Sequence, residues 1–290
     1  MKSQIMRKMI LYFAIFFIGF IAVSLWSFWL VVRPSRIVIP ATPELYRLPR
    51  EEVSVMTADG LKLAAWLVPR ADGRSDAPAV VLLHGYPAEK ADMLDLASRL
   101  HPYFAALLLD MRYFGKSQGR FTTLGFRERD DLKQAITFLK ERGATDIGVF
   151  GFSLGGAVAI MSASEDERIR AVAAYAPFAD LRTLGREAYS RLWLLKYPLV
   201  ELMIFWGRLA FGADFTAPSP AQAAAKLTIP AFIIASREDE QIYFGHAERL
   251  ERALSRNPAA EFYFLDRGRH GELPEDFEKR LIDFFSKHLD

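Results

Sequence analysis

Residues 9–32 read MILYFAIFFIGFIAVSLWSFWLVV, 24 positions without one charge. At about 1.5 Å per helical residue this stretch reaches roughly 36 Å, enough for a hydrocarbon core of about 30 Å. The pattern predicts a transmembrane helix over 9–32, with residues 1–32 as amino-terminal tail and anchor. A cleaved secretory leader is the competing reading. Its apolar region runs to only about 7–15 residues, and the one small-residue site, Ala22-Val23-Ser24, is followed by more apolar sequence. Residues 33–50 then hold Pro34, Pro40, Pro43 and Pro49, which favour extended, stiff backbone. They are expected to form a juxtamembrane spacer that keeps the rest of the chain a short distance from the bilayer.

From residue 51 the pattern changes to short β-rich runs alternating with helical periodicity, the signature of βαβ units. One α/β domain over 51–290 is predicted, with a mostly parallel central sheet flanked by helices. Runs 53–57 and 61–68 flank Ala58-Asp59-Gly60 and read as an antiparallel hairpin. Runs 79–83, 105–109, 147–151, 171–175, 231–235 and 261–265 are mostly apolar, as strands covered on both faces should be. Helical periodicity marks 242–254 and 274–289. Residues 182–226 break the rhythm with Trp193, Leu194, Leu195, Phe205, Trp206, Phe211 and Phe215, and are expected to form a helical cap inserted between strands.

Composition narrows the chemistry. A chain that is 51% hydrophobic and 25% charged is neither disordered nor collagen-like. The 37 Lys and Arg against 35 Asp and Glu leave a net charge of +2, without the basic surplus that tracking phosphates requires, so no nucleic-acid partner is expected. The absence of cysteine excludes disulfides, thiolate metal sites and a cysteine nucleophile. Lys2, Arg7 and Lys8 precede the apolar run while Arg33, Arg36, Arg47 and Arg50 come after it. This near balance leans to an inside amino terminus and an extracytoplasmic catalytic body.

Gly151-Phe152-Ser153-Leu154-Gly155 is G-x-S-x-G, set between the strand-like DIGVF and the alanine-rich helix LGGAVAIMSAS. A strand-turn-helix setting is what a nucleophile elbow needs, and the small glycines leave room for a strained turn that projects Ser153 outwards. A serine hydroxyl needs a base at neutral pH, and of the five histidines His270 lies in a loop after the strand EFYFL. Loops after parallel strands share one sheet edge, so His270 can meet Ser153. His246 lies in a helical run, His101 precedes a proline before a strand, and His288 is on the terminal helix. A carboxylate orienting the imidazole is expected after the strand AFIIA, where Asp239 is the central candidate between Glu238 and Glu240. For the oxyanion, Leu154 offers a backbone N–H, and the loop His84-Gly85-Tyr86-Pro87 offers Tyr86, with Gly85 as the alternative. His84 itself reads as a packing residue of that loop.

These residues together resemble the α/β-hydrolase superfamily, over most of the chain from about residue 51. The resemblance also includes Thr57-Ala58-Asp59-Gly60-Leu61-Lys62-Leu63, the run LLHGY, and the D-x-R-x-x-G-x-S-x-G run from Asp110 to Gly119. It is similar to the serine-hydrolase branch with membrane-anchored acyl hydrolases, monoglyceride-lipase-like enzymes and serine aminopeptidase-like domains. The resemblance implies a triad of Ser153, Asp239 and His270, an oxyanion hole from Tyr86 and Leu154, and no cofactor or metal. Two positions depart from the pattern: Ser236 stands where a glycine is usual before the acid, and Tyr243 where a proline is often found after it. Asp110, Arg112, Gly115 and Ser117 are expected to brace the neighbouring loop.

The expected activity is cleavage of carboxylic esters or thioesters through an acyl-enzyme, on small-molecule or lipid acyl substrates. The apolar cap and the anchor favour lipophilic acyl groups. A peptidase would need an acidic pocket, for which the cap offers Glu187, Glu201 and Asp214. An acyltransferase would use the same triad, and a non-catalytic membrane-tethered scaffold is the reading from another class.

Overall fold

The computed structural model describes residues 2–289; Met1 and Asp290, the outer ends of the expected tail and body, lie outside the described residues. The helices are α1 (Lys2–Val32), α2 (Leu94–Leu100), α3 (Glu128–Glu141), α4 (Leu154–Ala163), α5 (Leu181–Ala188), α6 (Lys196–Phe211), α7 (Pro220–Ala224), α8 (Gly245–Ala253) and α9 (Phe277–His288). The strands are β1 (Glu51–Met56), β2 (Lys62–Val68), β3 (Ala79–Leu83), β4 (Ala105–Leu109), β5 (Ile147–Phe152), β6 (Ile169–Tyr175), β7 (Ala231–Ser236) and β8 (Ala260–Leu265). The described residues form one eight-stranded sheet in the order β1-β2-β4-β3-β5-β6-β7-β8. β1 pairs antiparallel with β2 and β2 antiparallel with β4, while every pairing from β4 to β8 is parallel.

Strand alternation sorts the core into two layers. In β3, Val81 and Leu83 meet Leu132 and Ile136 of α3 and Ala157 and Ile160 of α4. Val80 and Leu82 face the other way, towards Leu94 and Leu100 of α2 and Phe277, Leu281 and Phe285 of α9. Both faces of the strand are therefore dry, which is why its sequence is a continuous apolar run. Full burial of each such Leu or Val contributes about 1.5–3 kcal/mol. α4 has every residue buried, so its Ala- and Gly-rich sequence reflects close packing between the sheet and α3.

Between β6 and β7 the chain leaves the sheet to build α5, a 3₁₀ turn over Ser190–Leu195, α6 and α7. α5 and α6 wall the cavity above Ser153, whereas α7, which the sequence pattern includes in the expected cap, packs into the core beside α4 and α8. The terminal helices are shorter than the sequence pattern indicates: α8 starts at Gly245 rather than 242 and α9 at Phe277 rather than 274.

The amino-terminal region differs most from expectation. α1 begins at Lys2, so Arg7 and Lys8 lie within the helix rather than before it. Its last turns are not separated from the body. Ser24, Phe28 and Val32, spaced four apart on one face, are buried against Val200, Ile204, Phe211 and Phe215. Nor is 33–50 a free spacer. The Tyr113 hydroxyl donates to the Pro34 carbonyl at 2.5 Å, Arg36 donates to the carbonyls of Gly115 and Gly119, and the Ile39 N–H donates to Glu89 Oε1 at 2.6 Å. Proline stiffness predicts extension but not direction, and these polar groups turn the segment along the surface of the body.

Candidate active site

Ser153 sits between β5 and α4 with φ 52° and ψ −113°, a strained conformation for a residue with a side chain. The strain is held by the Ser153 N–H donating to the Tyr175 carbonyl at 2.8 Å and by the Ala157 N–H donating to the Ser153 carbonyl at 3.1 Å. Gly155 is obligatory here: a Cβ would fall 2.5 Å from the Leu83 carbonyl oxygen and 2.6 Å from that of His84. The elbow and the end of β3 therefore touch backbone to backbone.

At the same sheet edge, His270 Nδ1 lies 2.8 Å from Asp239 Oδ2, with both side chains almost fully buried. Asp239 Oδ1 accepts the N–H groups of Gln241 and Ile242 at 2.9 and 2.8 Å, which fixes the orientation of the carboxylate. Of the three neighbouring acids, Glu238 is exposed, and Glu240 accepts the backbone N–H of His270 at 3.2 Å instead of meeting its ring. Ser236, the departure from the usual glycine, accepts the Glu238 N–H at 3.2 Å and so shapes the turn that presents Asp239.

The loop after β3 packs against the elbow. A Cβ on Gly85 would fall 2.8 Å from Phe152 Cδ1 and 3.4 Å from Ser153 Cβ. The Tyr86 N–H has no hydrogen-bond partner among the described residues. The Leu154 N–H opens α4, where no carbonyl stands one turn back inside the helix to receive it. The bracing residues form a buried network under this loop. Asp110 accepts the Lys90 N–H at 2.7 Å, Lys90 Nζ at 2.5 Å and the Lys116 N–H at 2.9 Å. Arg112 bridges Asp131 and Asp59, tying α3 to the β1-β2 turn. Burial raises the Asp131 carboxyl to about 6 even with Arg112 beside it.

A cavity of about 630 Å³ opens over Ser153, Leu154 and Tyr86. Its walls are mainly apolar: Leu181 and Leu184 of α5, Val200, Met203 and Ile204 of α6, Phe215, and Phe28 and Val31 of α1. Tyr243, the second departure from the usual pattern, also lines it. Polar side chains also reach it, among them Glu187, Arg191, Glu240 and Gln241, and the Glu187 carboxylate lies 2.9 Å from Nε2 of the buried His246. Among the described residues no cluster of three or more His, Asp or Glu side chains is disposed to hold a metal ion.

The profile of the Alpha/beta hydrolase family matches residues 80–283. The chain belongs to this family. The chain is similar to the Pyrococcus furiosus esterase Pf2001, with a TM-score of 0.73 and 25% identity over 89% of this chain and 99% of that one. It is 33% identical over 136 residues to the thiohydrolase aneE of Aspergillus aculeatus, a match covering 44% of this chain and 42% of the relative. It is 32% identical over 140 residues to the polyketide transferase grgF of a Penicillium species, covering 46% and 47%. The chain thus spans less than half the length of these two curated relatives.

Several residues of the site are not visible in the motifs. Phe152 lies against His270, with ring centroids 4.8 Å apart. Lys90 is buried with Asp110, and the only signal for it in the chain is its place a few residues after LLHGY. Phe28 and Val31 are indistinguishable in sequence from the rest of an apolar helix. The other histidines do not reach the site as bases. His84 accepts the Met111 N–H on Nε2, which leaves its Nδ1 proton for the Gly85 carbonyl, and burial lowers its pKa. His101 Nδ1 pairs with the Pro69 carbonyl, and His288 packs on Phe284.

Proposed function

We propose that this chain is a membrane-anchored serine hydrolase that cleaves carboxylic ester or thioester bonds of lipophilic acyl substrates. The observation that carries the reading is the buried His270–Asp239 hydrogen bond at the same sheet edge as the strained Ser153, under an apolar cavity. In this mechanism His270 Nε2 takes the Ser153 hydroxyl proton as Oγ bonds to the acyl carbon. The carbonyl electron pair moves onto oxygen, where the N–H groups of Tyr86 and Leu154 receive it; each such donor is worth about 3–4 kcal/mol. Collapse breaks the bond to the alcohol or thiol, which leaves with the proton held by His270. Water then repeats the sequence on the acyl-enzyme, with no step that calls on a cofactor.

The esterase and thiohydrolase relatives support this bond class. Two of the cap acids that a peptidase would use for a substrate amino group are already paired with arginines, Glu201 with Arg182 and Arg186 and Asp214 with Arg208, while Glu187 accepts a hydrogen bond from His246. The similarity to a polyketide transferase favours acyl transfer as the second reading, which differs only in whether an alcohol replaces water as the acceptor.

Fluorophosphonate labelling of the full chain tests the reading. Labelling is expected in the wild type, absent in Ser153→Ala and much slower in His270→Ala. A folded wild type that does not label, with or without vesicles, would sink it. Partition of the acyl-enzyme between water and added alcohol separates hydrolysis from transfer.

Membrane anchoring rests on α1, whose residues up to Gly19 are nearly all exposed and apolar after Lys8, and on continuing apolar surface across the cap at Phe205 and Leu209. With the amino terminus inside, a membrane-impermeant maleimide should modify Glu141→Cys on intact cells and Ser3→Cys only after lysis. The chain has no cysteine of its own to interfere.

A further inference from the structure

We propose that the last two turns of the anchor helix are part of the active site, where they wall the acyl cavity and hold the oxyanion loop, so that acyl esters resident in the bilayer are the substrates. This rests on the serine-hydrolase reading of the Ser153 cavity.

Three independent observations meet here. Phe28 and Val31 line the cavity together with Ser153, Leu154 and Tyr86, so one wall comes from neither the sheet nor the cap. The helix end is fixed in register with the cap: Trp206 Nε1 donates to Ser24 Oγ at 2.9 Å, and the Phe28 and Phe211 ring centroids are 5.9 Å apart. Finally, the last carbonyls of a helix have no partner inside it, and here the catalytic body supplies partners. The Tyr86 hydroxyl donates to the Val31 carbonyl at 2.9 Å, and the Thr122 N–H donates to the Val32 carbonyl at 2.9 Å.

Tyr86 therefore does two things at once. Its backbone N–H has no partner among the described residues, in a loop packed on the elbow, and its hydroxyl is tied to the anchor. Burial raises that phenol to about 12, so it remains a donor throughout the working pH range. A shift of the helix end would move the loop that supplies the N–H.

The helix also sets the depth of the cavity. Lys8 is the last charged residue before Arg33. A hydrocarbon core of about 30 Å takes about 20 helical residues, so a core starting after Lys8 ends near Phe28. Phe28 and Val31 then lie where acyl chains meet headgroups, and an acyl tail can enter the cavity from the leaflet without crossing water.

The test uses the full chain in phosphatidylcholine vesicles with p-nitrophenyl acetate and decanoate. Val31→Trp, which fills the wall, is expected to lower the decanoate-to-acetate ratio of kcat/KM at least tenfold; Val31→Leu, a milder change, should lower it by less in the same direction. Tyr86→Phe keeps the ring and the N–H but removes the tether, and should lower kcat about tenfold on both esters with KM changed less than twofold. Ratios within twofold of wild type in both Val31 variants would overturn the wall, and unaltered kcat in Tyr86→Phe would overturn the tether. Fluorophosphonate labelling runs alongside: a wild type that does not label removes the hydrolase reading and this proposal with it, whereas full labelling with an unchanged chain-length ratio removes the wall alone.

Discussion

The ring of Phe152 lies against the imidazole of His270 at a centroid distance of 4.8 Å, and its Cδ1–Cε1 edge occupies the space a Cβ on Gly85 would need. One side chain thus touches both the candidate base and the candidate oxyanion loop. Gly85→Ala must push either Phe152 or the elbow, and is expected to lower kcat about 100-fold, the scale of one lost oxyanion donor. Little change in thermal stability should accompany it. Activity within threefold of wild type would mean that the loop gives way without moving the Tyr86 N–H.

Asp239 and Glu240 both touch His270, one through the ring and one through the backbone. Only the ring contact sets the tautomer. Asp239→Asn is expected to cost about 10³–10⁴ in kcat with KM nearly unchanged, while Glu240→Gln should cost less than about tenfold. Steady-state kinetics on one soluble ester decides between them; equal losses would contradict the assignment.

Lys90 and Asp110 form an ion pair with 2% and 0% side-chain exposure, and Lys90 Nζ also lies 4.6 Å from the centroid of Trp66. Removing one member of such a pair strands the other in a dry interior. Lys90→Met is expected to lose about 3–5 kcal/mol of stability by urea unfolding in detergent. It should also lower kcat, because the Asp110 carboxylate holds the Lys90 N–H at the end of the oxyanion loop. A loss under 1 kcal/mol would show that water reaches Asp110.

His246 accepts the Ala179 N–H on Nδ1 at 3.0 Å and so must give its Nε2 proton to Glu187 as a neutral ring. Burial lowers its pKa below the ordinary 6.5, despite the opposing pull of Glu187, and His84 is lowered by burial too. The unfolded chain therefore takes up protons below pH 6.5 that the folded chain refuses. Stability is complete above that pH and falls as pH drops towards the folded-state values, by up to about 1.4 kcal/mol per pH unit for each histidine. Unfolding curves from pH 8 to pH 5 should show this slope, offset below about pH 6 by Asp131, whose raised carboxyl takes up a proton in the folded chain before the unfolded one. His246→Asn, which keeps an acceptor for Ala179, should flatten it, and an unchanged slope would place the proton uptake elsewhere.

The elbow was legible because G-x-S-x-G between a strand and a small-residue helix reports a backbone contact: Gly155 is small since the carbonyls of Leu83 and His84 lie against it. Asp239 was legible as the central of three acids and through the resemblance, but a loop of adjacent carboxylates does not itself say which one turns inwards. Backbone donors from Gln241 and Ile242 make that choice.

What the sequence alone determined was the alternating α/β order, the long apolar helix and the choice of Ser153 and His270 as candidates, because each is written in local periodicity, in a contiguous motif or in its place after a strand. What only the tertiary structure decided was where the apolar helix lies. A run of 24 apolar residues looks the same on every face, and nothing local distinguishes Phe28 and Val31 from the exposed positions beside them. The stripe of Ser24, Phe28 and Val32 meets α6 from nearly 180 residues away, and the carbonyl of Val31 meets Tyr86 from 55. Contacts of that span depend on the shape of the assembled body, which no window of sequence contains.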